Sequence, residues 1–94
     1  MRLSEEEIGV LKDSVERLDR EAELYLFGSR LDDRARGGDI DLLIRSQKLG
    51  RKELRRIRLD FFARFGEQKL DLLLDDGHTA DPFIQLVNRE ARKL

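Results

Sequence analysis

The hydrophobic positions of this 94-residue chain follow two rhythms. Ile8, Leu11, Val15 and Leu18 recur three or four residues apart, which lines one face of a helix, and Ser4 with Glu7 makes the capping-box pattern just ahead of them. The spacing predicts a first helix over 5–20. Leu24-Tyr25-Leu26-Phe27, the run Ile-Asp-Leu-Leu-Ile over 40–44 and the run Leu-Asp-Leu-Leu-Leu over 70–74 are short and show little polar alternation. Runs of that kind suit central strands covered on both faces. Between the second and third, Leu54, Ile57, Phe61 and Phe65 return to helical spacing over 51–65, and Gly66 supplies a helix stop. Asp81-Pro82 reads as an N-cap followed by proline at the first helical position, opening a last helix that carries Phe83, Ile84, Leu86 and Val87. The order helix, strand, turn, strand, helix, strand, helix predicts a small α/β (α+β) sandwich: helices packed on a mixed sheet of three strands or slightly more.

Composition narrows what such a sandwich can do. Charged residues make up 41% of the chain, far above the roughly 25% of an average domain, so the core must be concentrated in the few apolar runs just named. The length predicts one domain over 1–94. With no cysteine and only His78, thiolate chemistry and histidine-based zinc sites are excluded, and His78 itself, in a polar loop, is given no chemistry. No stretch approaches a spanning helix, and Glu5, Glu6 and Glu7 make the start acidic where a signal peptide would be basic, so no membrane role and a cytoplasmic setting are expected. The net charge of −1 argues against direct DNA binding, yet it conceals a strong polarity. Residues 1–29 net −4 and residues 45–64 net +6, so the basic segment is expected to face an anionic ligand or an acidic partner. Within that segment Arg58 falls inside the apolar arc of its helix and is expected to snorkel, whereas Leu59 sits on the opposite face among Lys52, Arg55 and Arg56. A basic surface with an apolar centre suits a protein partner.

The chemistry gathers at three places. Gly28 and Ser29 follow directly on the first strand, where a tight turn aims backbone N–H groups and a hydroxyl at a phosphate, although a Gly-Ser pair is also an ordinary turn signal. Asp39 and Asp41 open the second strand at i and i+2, so their side chains leave the same face. Asp71 repeats the situation on the third strand, between Leu70 and Leu72. Carboxylates on apolar strands are costly without a cation between them, and three of them with no sulfur or imidazole nearby form a hard-oxygen set suited to Mg²⁺ or Mn²⁺. Taken singly, each aspartate has a plainer reading: Asp39 caps a strand, and Asp41 and Asp71 face water at an edge.

Together, Leu26-Phe27-Gly28-Ser29-Arg30, then Arg36-Gly37-Gly38-Asp39-Ile40-Asp41-Leu42-Leu43, then Leu70-Asp71-Leu72 resemble the minimal nucleotidyltransferases of the DNA polymerase β superfamily. The likeness covers nearly the whole chain. One departure is the loop from Arg30 to Gly38, nine residues where many members have ten. The resemblance implies a palm-like fold in which Gly28 and Ser29 hold the β and γ phosphates of ATP. Asp39 and Asp41 would ligate two Mg²⁺ ions, and Asp71 would complete one metal site and help deprotonate the acceptor hydroxyl. Arg30 and Arg36 border the same mouth and are candidates for phosphate contacts. It further implies AMP transfer from ATP with loss of pyrophosphate. Larger relatives have a helical domain for base and acceptor, so here that surface is expected from a partner or a second copy. In the family such chains often accompany a helical HEPN ribonuclease as its antitoxin and add AMP to one of its tyrosines. The alternative is a non-catalytic module that neutralises its partner by covering it; transfer to a small molecule or an RNA end is a third reading.

Overall fold

A computed structural model describes residues 3–28 and 39–94. Its elements are α1 (Glu5–Leu18), β1 (Glu23–Phe27), β2 (Ile40–Arg45), α2 (Arg51–Phe65), β3 (Leu70–Asp75), α3 (Pro82–Glu90) and β4 (Arg92–Lys93). The predicted order holds, with a two-residue strand added at its end. The predicted caps form: Ser4 Oγ accepts the Glu7 N–H and Glu7 Oε1 the Ser4 N–H, both at 3.0 Å, while Asp81 Oδ1 accepts the Phe83 N–H at 2.9 Å. Helix α1 stops two residues short of its expected end. Asp19 leaves the helix because its buried carboxylate accepts the Ser46 hydroxyl at 2.6 Å and the Glu21 N–H at 3.0 Å. Among the described residues no helix is long and apolar enough to cross a membrane.

The sheet has the order β3-β2-β1-β4. Strand β1 runs antiparallel to β2 and β4, whereas β2 and β3 are parallel, which requires the crossover that α2 provides. One side of the sheet carries Leu24, Leu26, Ile40, Leu42, Ile44 and Leu70 into a core closed by Leu11 and Val15 of α1 and Ile57 and Phe61 of α2. Only β2 is nearly buried throughout; β1 alternates, and β3 lies at the edge of the sheet, where a central, covered strand was expected. Arg58 accounts for part of that edge. Its Nε and Nη2 both donate to the Leu70 carbonyl at 3.3 Å, so the guanidinium does more than snorkel: it covers an edge carbonyl that has no strand beside it.

The two charged segments partly meet each other. Arg64 of α2 bonds Glu6 of α1, and the buried Ser14 hydroxyl of α1 donates to Asp60 of α2 at 2.7 Å, with Arg56 Nε 3.3 Å from the same carboxylate. Leu59, by contrast, is 56% exposed, with Lys52, Arg55 and Arg56 exposed around it.

The opposite side of the sheet follows from the same period of two. The register pairs Glu23 with Arg45, Tyr25 with Leu43 and Phe27 with Asp41 across β1 and β2, and Asp41 with Asp71, Leu43 with Leu73 and Arg45 with Asp75 across β2 and β3. At one end Arg45 ties three strands to α3. Its guanidinium lies 5.0 Å from the Tyr25 ring centroid, bonds Asn88 Oδ1 at 2.5 Å and approaches Asp75 at 3.6 Å and Glu23 at 3.7 Å. Asn88 Nδ2 in turn donates to Asp75 Oδ2 at 2.9 Å, fastening α3 to this end.

Because Phe61 is fully buried between α2 and the sheet, Phe61→Ala should destabilise the fold by about 3–5 kcal/mol, the cost of a large core cavity. Leu59→Ser, on the exposed face, should change stability by less than about 0.5 kcal/mol. Urea unfolding followed by circular dichroism measures both.

Candidate active site

The end of this second face remote from Arg45 is where the sequence signals converge. Asp41 and Asp71 are direct register partners on parallel strands, and such strands lie ~4.8 Å apart, so the two side chains leave the same face as neighbours. Asp39, two residues before Asp41, falls on that face as well. Asp41 is half-buried, and burial, the Asp71 charge, a hydrogen bond shared with Asp71 and the Asp39 charge together raise its pKa above the ordinary 3.8. Lys69 opposes that rise in part.

Gly28 ends β1 beside Asp41. Its φ of 78° lies in the left-handed region, and a Cβ built on it would overlap the Asp41 carboxylate. Two independent constraints therefore demand glycine, because the space a side chain would take is already filled by the Asp41 carboxylate. Ser29, Arg30 and Arg36 lie outside the described residues.

Lys69 was not among the residues singled out from the sequence. Its Nζ lies 3.4 Å from Asp39 Oδ2, and its pKa is raised by the Asp39 hydrogen bond and charge, with further contributions from Asp71 and Asp41. The available signal was its position two residues before Asp71, which places it on the same face. Asp39 is thus paired with a lysine, and among the described residues no three His, Cys, Asp or Glu groups are gathered into a cluster that could hold a metal ion. The donor chemistry still fits a hard divalent ion, because carboxylate oxygens of Asp39, Asp41 and Asp71 share one face, one cation already sits against them, and Gly28 lets the Asp41 carboxylate lie against the end of β1.

A mixed sheet under two helices, with acidic side chains from neighbouring parallel strands at a glycine turn, is the arrangement of a nucleotide-transferring domain. The family comparison agrees: the chain belongs to the nucleotidyltransferase domain family, whose model matches residues 8–93. No curated protein matches the chain. Family membership supports nucleotide transfer as the class of activity.

Two outcomes follow from this geometry. Since the folded chain binds the Asp41 proton more tightly than the unfolded chain, the stability contributed by Asp41 falls as pH rises from below 3.8 through the raised value, against the opposite trend of Asp19, Glu23 and Asp75, whose values are lowered. Asp41→Asn should remove that fall: in EDTA at neutral pH the variant should melt a few degrees above the parent, with the gap closing below pH 3.8 in a thermal scan. Gly28→Ala should lose on the order of 1–3 kcal/mol of unfolding free energy from backbone strain alone, and should weaken Mn²⁺ binding in a calorimetric titration because the Asp41 carboxylate must move.

Proposed function

We propose that this chain is a Mg²⁺-dependent adenylyltransferase that moves AMP from ATP to an acceptor hydroxyl on a protein partner. The observation that carries the reading is the parallel register of β2 and β3, which sets Asp41 against Asp71 beside the Gly28 turn in a chain of the nucleotidyltransferase domain family. Asp39, Asp41 and Asp71 would hold Mg²⁺, or Mn²⁺ in its place, which when bound neutralises charge on the triphosphate and on the departing pyrophosphate. Gly28, with no side chain in the way, would let the triphosphate approach the end of β1, and Ser29, next in the sequence, would add a hydroxyl. Arg30 and Arg36 supply further phosphate contacts. The acceptor oxygen attacks the α-phosphorus, the bond from that phosphorus to the bridging oxygen breaks, and pyrophosphate leaves. Asp71, the more exposed of the strand-borne pair, takes the hydroxyl proton.

The acceptor follows from what the fold leaves uncovered. Leu59, Phe83 and Leu86 are each more than half exposed, and the first sits among basic side chains. Such surfaces suit a protein, and the resemblance noted above makes a tyrosine of a helical HEPN-type toxin the acceptor of choice, with the chain as its antitoxin in the cytoplasm. The same exposed apolar residues favour the second reading, a module that inhibits by covering its partner without chemistry.

The deciding experiment incubates the chain, α-³²P-labelled ATP and Mg²⁺ with a helical HEPN-type protein as the acceptor. Label should join the partner, and Asp41→Asn should abolish it; a stable complex without label would establish the covering module instead. Arg55→Glu combined with Leu59→Ser should weaken partner binding about tenfold or more at low salt, with a smaller defect at high salt. Arg56 is left in place because reversing it would set a glutamate against Asp60.

A further inference from the structure

Lys69 has no part in the reaction described above, yet the fold builds it into the acidic face. The Lys69 carbonyl accepts the Ile40 N–H at 3.2 Å, and the register then runs Ile40 with Leu70 and Asp41 with Asp71. One step back along the same ladder, Lys69 is level with Asp39, and its Nζ lies 3.4 Å from Asp39 Oδ2. The strand pairing that aligns two carboxylates therefore also stations an ammonium group against the third. Both partners of this ion pair are largely exposed, 66% for Lys69 and 46% for Asp39, so the contact is weak and easily exchanged. A flexible four-carbon stem allows the ammonium to withdraw without disturbing the backbone.

We propose that Lys69 is a positioning residue of the metal site: its ammonium neutralises Asp39 beside the Asp41–Asp71 pair and must be displaced from Asp39 for a divalent cation to enter, so that metal binding is a cation exchange. The inference rests on the nucleotidyl-transfer reading of this site. Its consequence is that the carboxylates are never left without a counter-charge, while the affinity for free divalent ion is held below what three bare carboxylates would give. A lysine that served the nucleotide phosphates instead would leave metal affinity in the absence of ATP untouched.

Mn²⁺ titrations of the full chain without nucleotide, followed by calorimetry and by the electron paramagnetic resonance of free Mn²⁺, test this directly. Lys69→Met should bind Mn²⁺ on the order of fivefold more tightly than the parent at low salt, since the ion no longer has to displace an ammonium from Asp39, and the gain should shrink as salt rises and weakens that ion pair. Lys69→Arg should bind like the parent. In an Asp39→Asn background the Lys69→Met gain should largely vanish, because the pair through which the lysine acts is already broken. Mn²⁺ affinity that is unchanged or weakened in Lys69→Met, with the parent binding the ion, overturns the exchange while leaving the transferase reading intact. No Mn²⁺ binding by either protein overturns both.

Discussion

The parallel pairing of β2 with β3 is the constraint on which the rest of the molecule depends. Parallel neighbours cannot be joined by a tight turn, so α2 must cross over between them, and its apolar stripe must then be covered. Ile57 and Phe61 meet Leu11 and Val15 of α1 and the inward residues of three strands, and this closes the core. Register is fixed by the same burial. A slip of one residue would turn Ile40, Leu42 and Ile44 outward and bring Asp41 into the core, which the cost of burying a carboxylate forbids. The core therefore enforces the alignment of Asp41 with Asp71 on the other side of the sheet, although neither side chain contributes to that core.

Much of this was legible in the sequence because the signals were local. The caps at Ser4 and Asp81, the stop at Gly66 and the runs at Leu24, Ile40 and Leu70 each depend on a few neighbouring residues, and each formed where its residues predicted. What escaped was decided by contacts distant along the chain. Asp19 ends α1 early because it finds Ser46, 27 residues away. Arg58 looked like a snorkelling side chain because nothing on its own helix shows that the Leu70 carbonyl stands exposed on the sheet edge. A run as apolar as that of β3 resembles a central strand whether its second neighbour is a strand or an arginine. The last strand, Arg92–Lys93, has no hydrophobic pattern at all and exists only because β1 offers it an edge.

The candidate site was read from the sequence in the same uneven way. Spacing alone put Asp39 and Asp41 on one face, and similar apolar surroundings suggested that Asp71 belonged with them. The partner of Asp39 was not foreseen, because Lys69 is one of many basic residues in a chain that is 41% charged, and only the strand register distinguishes it from the others. Charge polarity along the chain was equally plain, but part of it is spent within the fold, where Arg64 reaches Glu6 and Asp60 joins Ser14. What is left for other molecules is the exposed rim of α2 around Leu59, not the whole basic segment.

The face of the sheet turned away from α1 and α2 sets two charged rungs four residues apart on the same pair of strands. At one rung Arg45 faces Asp75, with Asn88, Tyr25 and the Gly77 N–H completing the set, and the Asp75 pKa is lowered chiefly by the Asn88 hydrogen bond. That rung is satisfied from within the chain and serves to hold α3. At the other rung Asp41 faces Asp71, the Asp41 pKa is raised by burial and by its neighbour, and among the described residues Lys69 stands beside Asp39 on a long, exposed stem. An arginine at position 41 would have made the two rungs alike and tightened the sheet. Retaining a carboxylate there costs stability that the described residues do not recover, and a divalent cation carrying a nucleoside triphosphate is the kind of ligand that would supply the missing charge.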